Sequence, residues 1–242
     1  AKYSWLLPAC RSVMLQMESP ALDAISTKNL NSMPEVLALK KLLQSLAMLD
    51  AIMSPEWDER FYSFNSNWGD NEQMGSMRNG CGDDFFVLFT QDGCFVKGFD
   101  HESAMSSWST DGQVPWPDLL KGLPSEFIAA SKEPAFSMDN ISFCIWKLHT
   151  ADFWGKGDFE FAVDEDPDGS EYLLEIFDCN PETYRVFALE YYEVDLDVAT
   201  IAKFYNHLPL TDELVKEVNS EVTLKQLDKD ISEIGYPCVD AT

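Results

Sequence analysis

Two apolar runs, Phe85 to Thr90 and Cys94 to Phe99, flank Gln91-Asp92-Gly93. Asp-Gly supplies the positive φ that a tight hairpin requires, so the runs are predicted to be paired antiparallel strands. This hairpin commits the chain to a sheet, and the remaining elements have to be placed around it. The strongest of them precedes it. Ser32-Met33-Pro34-Glu35 has capping-box spacing, and Leu39, Leu42, Leu43, Leu46 and Leu49 follow at helical intervals, which predicts a core-facing helix over about 33–53 stopped by Ser54-Pro55.

Further strands are expected at Phe61 to Phe64 and Ile141 to Leu148, with Phe159, Phe161 and Val163 alternating as a half-buried strand does. The stretch from Asn65 to Asp84 is rich in Gly and Asn and reads as a loop; it lacks the Gly-Lys-Ser/Thr ending of a phosphate cradle. Residues 108–134 carry enough Pro and Gly for a linker, but Trp108, Trp116 and Phe127 do not suit one. The last third reads as helical. Asn180-Pro181 starts one helix, Asp197 and Thr211 precede two more, and Thr223-x-x-Gln226 caps a final one ended by Gly235 and Pro237. The expected fold is therefore one α+β domain over 1–242, mainly an antiparallel sheet with an N-terminal helix and a helical cluster from about residue 180. No internal repeat or separating linker is evident.

Composition narrows function. Seventeen basic residues against 42 acidic ones, a formal net charge of −25, argue against nucleic-acid or anionic-membrane partners, both of which need clustered Lys and Arg. A basic protein partner is expected instead. Between Asp152 and Asp197 lie fifteen acidic residues and only two basic ones, Lys156 and Arg185. The candidate contact residues in that segment are Asp164, Glu165, Asp166, Asp168, Glu171, Glu190, Glu193, Asp195 and Asp197, with Trp154, Tyr191 and Tyr192 as aromatic anchors. The plainer alternative is a solvated acidic face that only maintains solubility. No apolar run approaches the roughly 20 residues of a membrane span, and Pro8 and Arg11 interrupt the opening apolar run before it reaches secretory length. The six cysteines are dispersed and are expected to be reduced and mostly buried, in a cytoplasmic protein. Without a Cys-x-x-Cys pair or clustered histidines, no zinc site is expected.

Asp164-Glu165-Asp166-Pro167-Asp168-Gly169, with Glu175 six residues after the glycine, has the ligand spacing of a calcium loop through Asp164, Asp166, Asp168 and Glu175. The competing reading is an acidic Pro-Asp-Gly turn, and the preceding residues alternate like a strand rather than an entering helix. Calcium is thus an alternative, with no cofactor as the primary expectation. A second alternative is an enzyme, for example a hydrolase. Asp100-His101-Glu102 sets carboxylates beside an imidazole, near a loop carrying Arg78 and Asn79. No nucleophile or third group is placed by sequence, so capping or surface roles compete with it.

Trp57-Asp58-Glu59-Arg60-Phe61-Tyr62-Ser63-Phe64, Ser76-Met77-Arg78-Asn79-Gly80, Gly98-Phe99-Asp100-His101-Glu102-Ser103, Asp166-Pro167-Asp168-Gly169-Ser170 and Ile234-Gly235-Tyr236-Pro237 resemble a widespread, largely uncharacterised bacterial family from about Leu37 onward. In acidity, and in lacking a recognisable triad or nucleotide fingerprint, the chain is similar in character to immunity proteins that neutralise secreted antibacterial toxins. The resemblance implies a toxin-neutralising binding protein; a scaffold subunit of a larger assembly is the third option.

Overall fold

The computed structural model describes residues 24–109, 118–159, 161 and 166–239. Six strands form one antiparallel sheet in chain order: β1 Tyr62–Gly69, β2 Glu72–Arg78, β3 Asp84–Phe89, β4 Gly93–Phe99, β5 Phe143–Leu148 and β6 Gly155–Lys156. Helix α1, Val36–Met53, precedes the sheet, and α2 Ser170–Leu174, α3 Pro181–Tyr191, α4 Val198–Tyr205, α5 Asp212–Val218 and α6 Asp228–Ile234 follow it. This is the α+β arrangement expected from the sequence.

Alternation along the central strands feeds two cores. Phe85, Val87 and Phe89 of β3, with Phe143 and Ile145 of β5, meet α1 and the C-terminal helices; Phe86, Leu88, Cys144 and Trp146 meet Leu119, Phe127 and Phe136 on the other face. Strands covered on both faces read as continuous apolar runs, and β3 and β4 have that character. The second cover is built from short 3-10 turns, Ser125–Phe127, Ala130–Lys132 and Pro134–Phe136. Phe127 and Phe136 are therefore core, in line with the argument against a linker, whereas Trp108 is exposed and Trp116 lies outside the described residues.

Helix α1 is buried almost all round. Its leucines face the sheet side, while Gln44 Nε2 donates to the Ile234 carbonyl (2.9 Å) and Ser45 Oγ to the Phe204 carbonyl (2.8 Å), tying α6 and α4 to its other side. Gly75 of β2 lets α1 come close: a Cβ there would sit 2.9 Å from Leu43 Cδ1. Truncating a leucine buried this completely costs about 2–5 kcal/mol.

Several expectations are corrected. The Gly- and Asn-rich stretch after Asn65 is not a loop but the β1–β2 hairpin, because Gly75 is required under α1 and its neighbours pair with β3. The helix begins at Val36 and has no side-chain cap; Glu35 occupies the cap position, and its carboxylate accepts from Lys147 Nζ of β5 (2.8 and 2.9 Å) instead of closing a box with Ser32. Phe159 and Phe161 lie outside any strand; the sixth strand is Gly155–Lys156, and Val163 falls outside the described residues. Cys81 is disulfide-bonded, against the expectation of reduced thiols, whereas Cys94, Cys144 and Cys179 are free. The C-terminal caps follow the sequence: Asn180, Asp197 and Thr211 each accept an amide of the first turn, and Thr223 with Gln226 forms the capping box. No helix among the described residues is long and apolar enough to cross a membrane.

Candidate functional site

The acidic segment resolves into groups with different roles. Asp168 is fully buried: one carboxylate oxygen accepts from the Thr27 hydroxyl and the other from the Ser170 amide (3.1 Å). Asp166 accepts from the amides of Glu171 and Tyr172, both at 3.1 Å, and so closes the start of α2. Gly169 between them adopts φ 73°, and a Cβ there would lie 2.2 Å from Asp100 Cβ, so only glycine lets this turn rest on the end of β4. Asp168 is thereby removed from the possible partner contacts. Trp154 is removed too, since it is 7% exposed and its indole nitrogen donates to the Pro34 carbonyl (3.0 Å). Asp164 and Glu165 lie outside the described residues.

Of the four candidate calcium ligands, Asp164 lies outside the described residues. Oxygens of Asp166 and Asp168 are occupied by amide and hydroxyl hydrogens, and Glu175 lines a separate cleft.

That cleft encloses about 210 Å³ between the sheet and the α2–α3 region. Its floor is apolar, from Phe61, Tyr62, Met77, Leu173, Ile176 and Phe187, and its rim carries Glu175, Glu182 and Glu190. Glu182 is paired with Arg185 (3.0 Å), which also pairs with Asp195. Among the described residues no cation pairs with Glu175 or Glu190. Burial raises the protonation range of both, and for Glu175 the neighbouring charges of Asp178, Glu190 and Glu171 push the same way. Carboxylates destabilised by desolvation and by each other gain most when a cation arrives. Burial, then Asp166, likewise raises Glu171, which is half-buried. Tyr191 stacks on Phe187 (centroids 5.5 Å, 13°) and is exposed, so it stands beside the cleft as an available aromatic; Tyr192 meets Phe187 edge-on and is half-buried. Glu193 is exposed, and Asp197 is committed to the α4 cap through the Ala199 amide (2.9 Å).

Beneath the cleft, Asp50 of α1 is fully buried and accepts from the amides of Phe61 (3.0 Å) and Tyr62 (2.8 Å) and from the Tyr184 hydroxyl (2.8 Å). Desolvation outweighs these bonds and pushes its carboxyl up to about 6. This aspartate holds two floor residues of the cleft by their backbone, a role invisible to spacing because it joins α1, β1 and α3.

A second constellation forms where β2 and β3 turn beside the end of β4, since Arg78 pairs with Asp84 and Asp84 with Phe99. Asn79 folds the turn around itself, accepting from the amides of Cys81 (2.9 Å) and Asp83 (3.1 Å) and donating to Asp83 Oδ2 (2.6 Å). Asp83, 3% exposed, accepts from the His101 amide (2.9 Å) and lies 2.6 Å from His101 Nδ1. Trp108 stands edge-on to the imidazole at 5.4 Å and is 56% exposed. The structure thus brings His101 and Asn79 together through Asp83, which the sequence reading missed because a Gly-Asp-Asp turn looks like solvated surface. It keeps Asp100 close to this pair and directs Arg78 away from it. Arg78 turns its guanidinium over Trp57 (5.7 Å) and Phe86 (5.0 Å), Glu102 is exposed, and Asp100 is fully buried with Oδ1 accepting from the Glu102 amide (2.9 Å). Asp83, Asp100 and His101 offer ligand atoms within 4.8 Å of one another, but 2.6 Å between Nδ1 and Oδ1 is a hydrogen-bond spacing.

No family model matches the chain, and neither curated proteins nor solved structures give a significant match.

Proposed function

We propose that the protein is an acidic binding protein that captures a basic segment of a protein partner, and that this partner is a secreted bacterial toxin domain, as the resemblance to immunity proteins implies. The observation that carries the reading is the cleft of about 210 Å³ with an apolar floor and two unpaired carboxylates, Glu175 and Glu190, at its rim. It is smaller than a drug-sized pocket, which starts at roughly 300 Å³. A single long cationic side chain suits it: the stem lies on Phe61 and Phe187, and the charged end meets the carboxylates. Tyr191, with Glu193 beside it, extends the contact outward, while the wider acidic surface steers the encounter. The free thiols of Cys94, Cys144 and Cys179 fit the cytoplasmic setting expected of such a protein, whereas the Cys81 disulfide is of a kind that oxidising compartments preserve.

The test is calorimetric titration of the full chain with the basic product of a neighbouring gene at low and moderate salt. Affinity is expected to fall as salt rises, and the double variant Glu175→Gln, Glu190→Gln to bind roughly tenfold or more weakly, the equivalent of about 1.4 kcal/mol. Equal affinity of the double variant and the parent protein would overturn the reading.

A further inference from the structure

The Asp83–His101 pair is unused by the binding cleft, and its geometry is that of a proton-transfer site. The carboxylate of Asp83 faces Nδ1 at 2.6 Å, and an ionised carboxylate only accepts, so the imidazole proton resides on Nδ1. In neutral His101 this leaves Nε2 as the acceptor. Nε2 makes no hydrogen bond among the described residues, and the side chain is 20% exposed. Asp83 is itself fixed twice over, by the Asn79 amide at 2.6 Å and the His101 backbone amide at 2.9 Å. Those two bonds hold the carboxylate independently of the imidazole, which packs against Trp108. Trp108, beside the ring, offers exposed apolar surface on which a flat group can rest.

We propose that His101 is a general base, positioned by Asp83, for hydrolysis of small esters that carry a flat aromatic group and rest against Trp108. In the step, Nε2 takes a proton from water as the water oxygen bonds to the acyl carbon. The bond from that carbon to the leaving oxygen then breaks, the electron pair departs with the phenolate, and the imidazolium returns its proton to solvent. An oriented Asp–His pair of this kind contributes through the correct tautomer and through stabilisation of the imidazolium. The charged groups around the ring are Asp83 and Asp100, both buried, and Glu102 on the same turn.

The experiment uses the full chain and p-nitrophenyl acetate, following p-nitrophenolate release across pH with His101→Gln, Asp83→Asn, Asn79→Ala, Trp108→Ala and the control His149→Gln, whose site is exposed and remote in sequence. The parent protein is expected to exceed His101→Gln by roughly 10²-fold and to show a single ionisation in its rate profile that His101→Gln lacks. Asp83→Asn should lower kcat at least about tenfold, since it removes the acceptor that fixes the tautomer. Trp108→Ala should raise KM with little change in kcat, and His149→Gln should match the parent. Asn79→Ala keeps the test alive where Asp83→Asn fails to fold, because it loosens the carboxylate without removing it and is expected to lower kcat while leaving KM alone. Equal rates for the parent and a folded His101→Gln, judged by circular dichroism, would overturn the assignment.

Discussion

Acidic side chains occur in two populations, and the contrast separates what charge does outside a fold from what it does within. Glu175 and Glu190 stand exposed at the rim of an apolar cleft with no cation partner among the described residues. Asp50, Asp83, Asp100 and Asp168 are buried, and each accepts backbone amides from a distant or adjoining segment. Net charge counts the two sets alike. Physically the outer set is a field that attracts, whereas the inner set fixes backbone segments through the amides it accepts.

Substitution at Asp50 gives the sharpest break. Asp50→Ala leaves two amides and a tyrosine hydroxyl unsatisfied in the core, and is expected to cost about 3–5 kcal/mol in a urea melt. An effect as small as that of a rim glutamate would collapse the distinction.

Asp50 also imposes a pH dependence of definite sign. Its carboxyl is held at about 6 in the folded protein, above its ordinary value of 3.8. The folded state therefore binds this proton more tightly, and the associated stability is complete below about pH 4 and disappears as the pH climbs through about 6. On the order of 2–3 kcal/mol is at stake. Urea midpoints of the parent protein should rise from pH 7 to pH 5 by more than those of Asp50→Asn, whose residual rise reports the outer carboxylates.

Asp168→Ala should follow at roughly 1–3 kcal/mol, because it orphans the Ser170 amide and leaves the Thr27 hydroxyl only its longer contact with Ser170 Oγ (3.2 Å). Thermal melting of this variant, with and without Thr27→Val, would show whether the two act as one unit; additive losses would argue that they do not.

Smallest in stability is Glu190→Gln, expected within about 0.5 kcal/mol of the parent. Its effect should appear instead in a slower association with a cationic partner at low salt, measured by stopped flow.

Legibility in the sequence followed the same divide between local and distant partners. The leucine stripe of α1, the Asp92-Gly93 hairpin and the Asn180, Thr211 and Thr223 caps were readable because each is fixed by residues a few positions apart. Strand β2 was not, since Gly75 weakens strand character locally and is explained only by Leu43 packing over it. Asp83 and Asp50 escaped notice for the same reason. Each accepts from an amide 11 or more positions away, and no pattern within the chain distinguishes a buried aspartate from a solvated one. The cleft was half visible: Glu190 and Tyr191 stood out by charge and aromaticity, whereas Phe61 and Tyr62 looked only like a strand.

The sequential order of the six strands has a consequence for how the molecule is made. Strands β1 to β4 can zip together in turn as they emerge from the ribosome, with little loop to close, whereas β5 joins only once residues 100–142 have followed. The far side of α1 has no such neighbour. Its Gln44 and Ser45 wait for Ile234 and Phe204, 190 and 159 residues later. For much of synthesis a finished sheet therefore carries a helix with one naked flank, and that flank is where a chaperone has the most to hold.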